Sequence, residues 1–170
     1  MFLKSTIHWI DIISEWTGRL TAWLVILIVL IIVYQATMVA LFSIGSVALQ
    51  ELQWHLFAMI FLFGAAYTLK YDEHVRVDII YRSHWLTDRN RAWIDLLGGI
   101  FFLIPFCLLI IVTSWPFVHN SFIYVESSPD PGGLPYRFLL KATIPLGFLL
   151  LILQGISNIL KNLEYLFSKH

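Results

Sequence analysis

The chain has 170 residues, of which 59% are hydrophobic and 13% charged, with eleven Lys and Arg balanced by eleven Asp and Glu. An ordinary soluble domain is about a quarter charged, so the composition points away from a water-soluble fold. A balanced charge without a clustered basic face argues against nucleic acid as a partner. The single cysteine, Cys107, lies in an apolar run, which excludes an intrachain disulfide and a multi-cysteine metal site, and no cofactor is expected.

Four stretches of mostly apolar residues are each long enough to cross a hydrocarbon core of about 30 Å as a helix. The expected fold class is therefore all-α: one integral membrane domain over residues 1–170 with four transmembrane helices, whose loops are too short to form separate soluble domains. Lys4 to Arg19 reads as an amphipathic helix. Trp9, Ile13, Trp16, Leu20 and Trp23 share one face, while Lys4, His8, Asp11, Glu15 and Arg19 share another. Tryptophan favours the headgroup layer, so this segment is expected to lie along the membrane surface before turning inward. The first apolar run is longer than a signal-peptide core and no small-residue cleavage pattern follows it, which argues against a secretory signal.

The first span is expected over roughly 21–42, with Gln35 as its one strongly polar residue, suited to bonding a neighbouring helix. A short turn to Glu51 follows. The second span, roughly 52–69, opens with Glu51, Gln53 and His55 close together, and its Gly64-Ala65-Ala66 patch suits close helix approach. The third is expected over roughly 92–115, with close packing at Gly98 and Gly99 and a kink at Pro105. The density of Pro and Gly in SSPDPGGLP then predicts an irregular loop from Pro116 to Pro135. The fourth span, roughly 138–158, carries Pro145 and Gly147.

Basic residues set the orientation. Lys4, Arg19, Lys70, Arg76, Arg82, Arg89, Arg91, Lys161 and Lys169 fall on one side, and only Arg137 and Lys141 on the other. Both termini and the loop 70–91 are therefore expected in the cytoplasm. Lys70 to Asp95 holds five of the basic residues and five of the acids. Locally it reads as a positive-inside loop with acid-then-base pairing of Asp78 with Arg82, and a further i,i+4 pair, Arg91 and Asp95, at the base of the third span.

The wording of this loop is more specific than its physics. Glu73, His74, Val75, Arg76, Val77 and Asp78, then Tyr81, Arg89 and Arg91, then Asp95 and Gly98, resemble the signature of the small membrane subunit of TRAP (tripartite ATP-independent periplasmic) transporters, the DctQ family. The loop Glu126 to Arg137, followed by Lys141 and Ile144 to Gly147, is similar to one branch of that family. The resemblance implies four helices, cytoplasmic termini and a bacterial inner membrane. It implies a large DctM-like membrane partner bearing the sodium and substrate sites, and a periplasmic binding protein that delivers an organic anion and docks transiently. This chain would then be a non-catalytic scaffold subunit in contact with membrane lipid, not an enzyme.

Under that reading, Arg76, Asp78, Arg91 and Asp95 position the cytoplasmic loop against the large subunit, and Glu73, His74, Tyr81 and Arg89 complete the motif. Glu51, Glu126, Asp130 and Arg137 are the charged candidates for touching the binding protein, the alternative being ordinary solvated loop charges. Two other classes compete. A haem-binding electron-transfer subunit needs paired histidines on facing helices. His55 and His119 are the only such pair, with His119 expected near or beyond its helix end. A self-sufficient homo-oligomeric transporter needs a polar stripe through a span, and the span centres read as aliphatic and aromatic apart from Gln35.

Overall fold

The computed structural model describes residues 2–72 and 86–168. Nothing between Phe2 and Phe42 breaks a helix, and α1 runs through without interruption (Phe2–Phe42), about 62 Å long at 1.5 Å per residue. The expected surface-lying helix that turns into the membrane is therefore corrected to one continuous rod. The physical reason is that a stripe of Ile10, Ser14, Gly18 and Thr21 along α1 is buried inside the protein, while Lys4, His8 and Arg19 of the polar face stay exposed. At Gly18 the ring of Tyr67 occupies the space a side chain would need, with Tyr67 Cδ2 only 2.1 Å from where a Cβ would sit. The helix closes at Ser43, whose φ of 54° turns the chain back.

Helix α2 (Val47–Lys70) starts at Ser46, whose hydroxyl accepts from the Leu49 amide, and it ends on a basic residue that suits the negative end of the helix dipole. Helix α3 (Asp88–Ile123) is capped by Thr87, and Asp88 occupies its positively polarised first turn. Immediately before Pro105 it holds a π-helical turn over Gly99–Leu103 in which Ile104 N–H reaches back to Gly99 O. Proline has no N–H and crowds the preceding turn, so the extra residue relieves the clash.

The helix then passes Pro116 and ends only at Ile123, which corrects the expected span end at 115 and the loop start at Pro116. In membrane helices proline is tolerated where side chains, neighbouring helices or local adjustments of the helix satisfy the backbone groups it frees. Thr113 and Ser114 hydroxyls bond back to carbonyls one turn earlier. The end itself is a Schellman closure: Val125 N–H meets Phe122 O, Glu126 N–H meets Ser121 O, and Val125 takes a left-handed φ of 46°. Helix α4 (Phe138–Phe167) likewise carries Pro145 inside it and continues past the expected 158.

Helix α4 is the hub: α1, α2 and α3 all pack on it, and α1 also pairs with α2. At Gly147 a Cβ would fall 2.8 Å from Leu62 Cβ and 3.1 Å from its carbonyl oxygen, so the α2 and α4 backbones meet there. Ala66 is fully buried, Gly99 receives Ile159, and Gly64 and Gly98 face open space. Where α3 begins, Ala92 and Leu96 form a small apolar core with Ile159 and Leu166 of α4. All four helices are long and apolar enough to span a membrane, and their outward surfaces are dominated by exposed Leu, Ile, Val and Phe. Such a surface is stable only in lipid or against another apolar protein.

Candidate functional site

The polar chemistry of the chain gathers at the two ends of the bundle. At the end holding the start of α1 and the close of α4, five side chains knit these helices together. Asp11 receives Lys161 (2.7 Å), Ser157 Oγ (2.8 Å) and Gln154 Nε2 (3.2 Å). Ser14 Oγ donates to Gln154 Oε1 at 2.6 Å, and Gln154 Nε2 also reaches Asn158 Oδ1 at 3.1 Å. Asn158 in turn donates to the Leu69 carbonyl near the end of α2 (3.1 Å). Gln154 and Ser157 are fully buried, and each has its partners. One turn further along α1, Glu15 holds Lys70 at the end of α2 and Tyr71 just past it at 2.7 Å each, with Arg19 at 3.2 Å on its own helix. Lys4 meets Glu164 at 3.2 Å. The bond to Glu15 raises the Tyr71 phenol above its ordinary value.

This lattice was not legible as a site beforehand. Gln154 and Ser157 sit in a span whose centre reads as apolar, so Gln35 is not the chief polar residue of the membrane region. A usable signal did exist: Gln154, Ser157, Asn158 and Lys161 recur at three, four and seven residues, and Asp11, Ser14 and Glu15 form the matching stripe on α1.

Beside the lattice, a crevice of about 910 Å³ opens between the end of α2, the first half of α3 and α4. Lys70, Asp95, Asn158 and Lys161 line it together with Phe102, Phe106 and Leu151. Arg91 bonds Asp88 at 3.2 Å, and Arg89 is exposed on the first turn of α3. The remaining motif residues, Glu73, His74, Arg76, Asp78 and Tyr81, lie outside the described residues.

At the opposite end, Glu51 is buried rather than displayed. Its carboxylate accepts from Ser128 Oγ and, at 2.7 Å, from the Leu134 amide, so it pins the loop between α3 and α4 from below. The same loop is closed by Ser128 N–H to Leu134 O (3.1 Å) and Arg137 N–H to Glu126 O (2.9 Å). Glu126 is paired with Lys141, whose ammonium also lies 3.8 Å from the Phe117 ring centre. The Lys141 bond holds the Glu126 carboxyl below its ordinary range. Asp130 is exposed at the tip and Arg137 is half-buried at the base. Gln53 donates to Gln35 at 2.6 Å, which gives the expected partner to the glutamine of the first span.

His55 Nδ1 lies 2.6 Å from the Glu51 carbonyl of its own helix, and His119 is exposed on α3, inside the helix rather than beyond it. Among the described residues no group of three or more His, Cys, Asp or Glu is placed to hold a metal ion.

No curated protein sequence matches the chain. The family model of the Tripartite ATP-independent periplasmic transporters, DctQ component, matches residues 28–164, most of the first span through nearly all of α4. A match over that much of a four-helix membrane chain establishes membership: the chain belongs to the DctQ family, the small permease component of TRAP transporters, and is a transporter component rather than an enzyme.

Proposed function

We propose that this chain is a fixed scaffold subunit that joins a large DctM-like membrane subunit and supports sodium-coupled uptake of an organic anion delivered by a periplasmic binding protein. Both termini and residues 70–91 lie in the cytoplasm of a bacterial cell, and the outer loops 43–51 and 124–137 face the periplasm.

The observation that carries this reading is how the polar groups are used. A subunit that moved its own substrate would hold ionisable groups or broken helices around a cavity at mid-membrane. Here Asp11, Glu15, Lys70 and Lys161 at one end, and Glu51, Glu126 and Lys141 at the other, are all engaged with other helices or loops of the same chain. Meanwhile the helix surfaces between them are broadly apolar and unpartnered. Strong internal ties with an apolar exterior suit a rigid wall against which a larger protein works.

The test is to tag the chain and extract it in mild detergent from its native membrane. A stoichiometric polytopic partner supports the proposal. Reconstituted with that partner and its binding protein, the chain should support uptake that requires a sodium gradient. Recovery of a homo-oligomer that transports by itself in liposomes, or of a preparation with a Soret band, would overturn it.

A further inference from the structure

The crevice beside the lattice is polar toward one end of the bundle and apolar along the rest. The register between α3 and α4 orders its lining. Gly99 meets Ile159, Gly155 meets Leu103, and the Phe106 and Phe148 ring centres lie 6.0 Å apart. Along this antiparallel pair, Asp95 stands near the level of Lys161 and Asn162, close to Lys70 and Asp72 where α2 ends. Phe106 and Leu151 stand about three turns further into the span. On α3 the apolar lining runs from Gly98 to Cys107, about 13 Å at 1.5 Å per residue.

That length discriminates between occupants. It matches the depth of one leaflet, about 15 Å of a 30 Å hydrocarbon core, whereas a partner helix crossing the bilayer would need a groove along all of it. The volume of about 910 Å³ lies at the upper end of the range for small-molecule sites. Phe102 and Phe106 are 77% and 57% exposed, so this flank is open sideways to the bilayer. Nothing lies within 4 Å of where a Cβ on Gly98 would sit.

The charges define the headgroup. Two ammonium groups, Lys70 and Lys161, and two carboxylates, Asp72 and Asp95, line the crevice. Each lysine also holds a further acid at 2.7 Å, Lys70 with Glu15 and Lys161 with Asp11. A purely anionic headgroup would therefore meet more acids than bases. The Lys161 side chain is 39% exposed and keeps a donor beyond Asp11 for a phosphate oxygen, and Asn162 adds an amide. A carboxylate has about four acceptor positions, so Asp72 and Asp95 can take N–H groups in addition to the interactions they make within the chain. A primary ammonium has three N–H groups to give them, and a trimethylammonium has none.

We propose that this crevice binds one phospholipid of a single leaflet, with a headgroup that carries a phosphate and a primary ammonium. The phosphate sits toward Lys161 and Asn162, the ammonium toward Asp72 and Asp95, and an acyl chain lies along Phe102, Leu103 and Phe106.

The experiment strips the purified full chain of lipid by detergent exchange and titrates it with dioleoyl phosphatidylethanolamine, phosphatidylcholine or phosphatidylglycerol. Native mass spectrometry counts the lipids retained. One phosphatidylethanolamine per chain should bind about fivefold more tightly than phosphatidylcholine, the upper range for an exposed ion pair, and more tightly than phosphatidylglycerol. The double variant Asp72→Asn/Asp95→Asn should erase that preference. Gly98→Leu, which fills the crevice without meeting the rest of the chain, should lose the single lipid while its melting temperature in detergent is unchanged. Equal binding of the three lipids, a preference for phosphatidylglycerol, or undiminished binding by Gly98→Leu overturns the proposal. As a second measurement, a photo-crosslinking benzoylphenylalanine replaces Phe102 in the native membrane. An adduct with phosphatidylethanolamine supports the site, and an adduct with another protein or a second copy of this chain overturns it.

Discussion

Replacing Gln154 by leucine tests whether the buried lattice holds the bundle. The side chain is fully buried and makes three bonds: it accepts from Ser14 Oγ, and it donates to Asn158 Oδ1 and to the Asp11 carboxylate. Leucine is close in volume, so no sizeable cavity forms and the loss is mainly of hydrogen bonds. Two bonds between neutral groups are worth about 1 kcal/mol each and one to a carboxylate about 1.5–3 kcal/mol in soluble proteins. Bonds between membrane helices average about 0.6 kcal/mol, which lowers the total. A destabilisation of about 2–3 kcal/mol follows, part of it from stranding the buried Ser14 hydroxyl. The assay is reversible unfolding in mixed micelles, with Ser14→Ala and the double variant completing a cycle. Because the double variant removes the stranded hydroxyl, it should be less destabilised than the sum of the singles by about 1 kcal/mol. Gln154→Leu matching the wild type in stability, or strictly additive variants, would refute the claim that this lattice ties α1 to α4.

Gly147→Leu should destabilise the chain by about 1–3 kcal/mol or more through overpacking against Leu62, while Gly64→Leu, which meets open space, should not; equal melting temperatures would contradict the described α2–α4 approach. Val125→Gly should stabilise it by about 1 kcal/mol, because a β-branched residue is held at a left-handed φ with its side chain mostly exposed; a lower melting temperature would count against this. Glu51→Ala should speed hydrogen exchange at the Leu134 amide by about tenfold or more, with the helices still protected; unchanged exchange would show that the loop does not depend on Glu51. The Glu126 carboxyl titrates lower in the folded chain than when unfolded, because of Lys141. Its contribution is therefore complete above the ordinary glutamate range of about 4.3 and is lost as pH falls through the depressed value. In an acid titration of stability, Glu126→Gln should show a shallower loss, and an identical slope would remove Glu126 from the account.

The number of helices was legible because 20-residue apolar runs have little alternative in a chain this poor in charge. Their ends were harder to read. Pro116 marks a loop in water, but in a long apolar helix with Thr113 and Ser114 at hand it is carried through. The Lys4–Arg19 helix was recognisable as amphipathic, yet which face turns inward depends on partners far away in sequence. Lys161 lies 150 residues from Asp11, and Ser128 lies 77 from Glu51. Glu51 could be picked out as a carboxylate near an outer loop; its inward direction was set by Ser128 and Leu134, which no local pattern reveals. The family was legible from one charged loop, and the matched region contains that loop.

The lattice also fixes an order of events during synthesis. Asp11 and Ser14 emerge from the ribosome well before their acceptors and donors on α4, which lie 140 to 150 residues further along the chain. At translation rates of about 5–20 residues per second, the polar side of α1 waits roughly 7–30 seconds for its mate. Over that interval the newborn chain is a set of inserted helices with an open flank, and the emergence of α4 is what closes it. A ribosome that stops short of Gln154 leaves a product in which Asp11 and Ser14 lack every α4 partner, while Glu15 already has Lys70 and Tyr71.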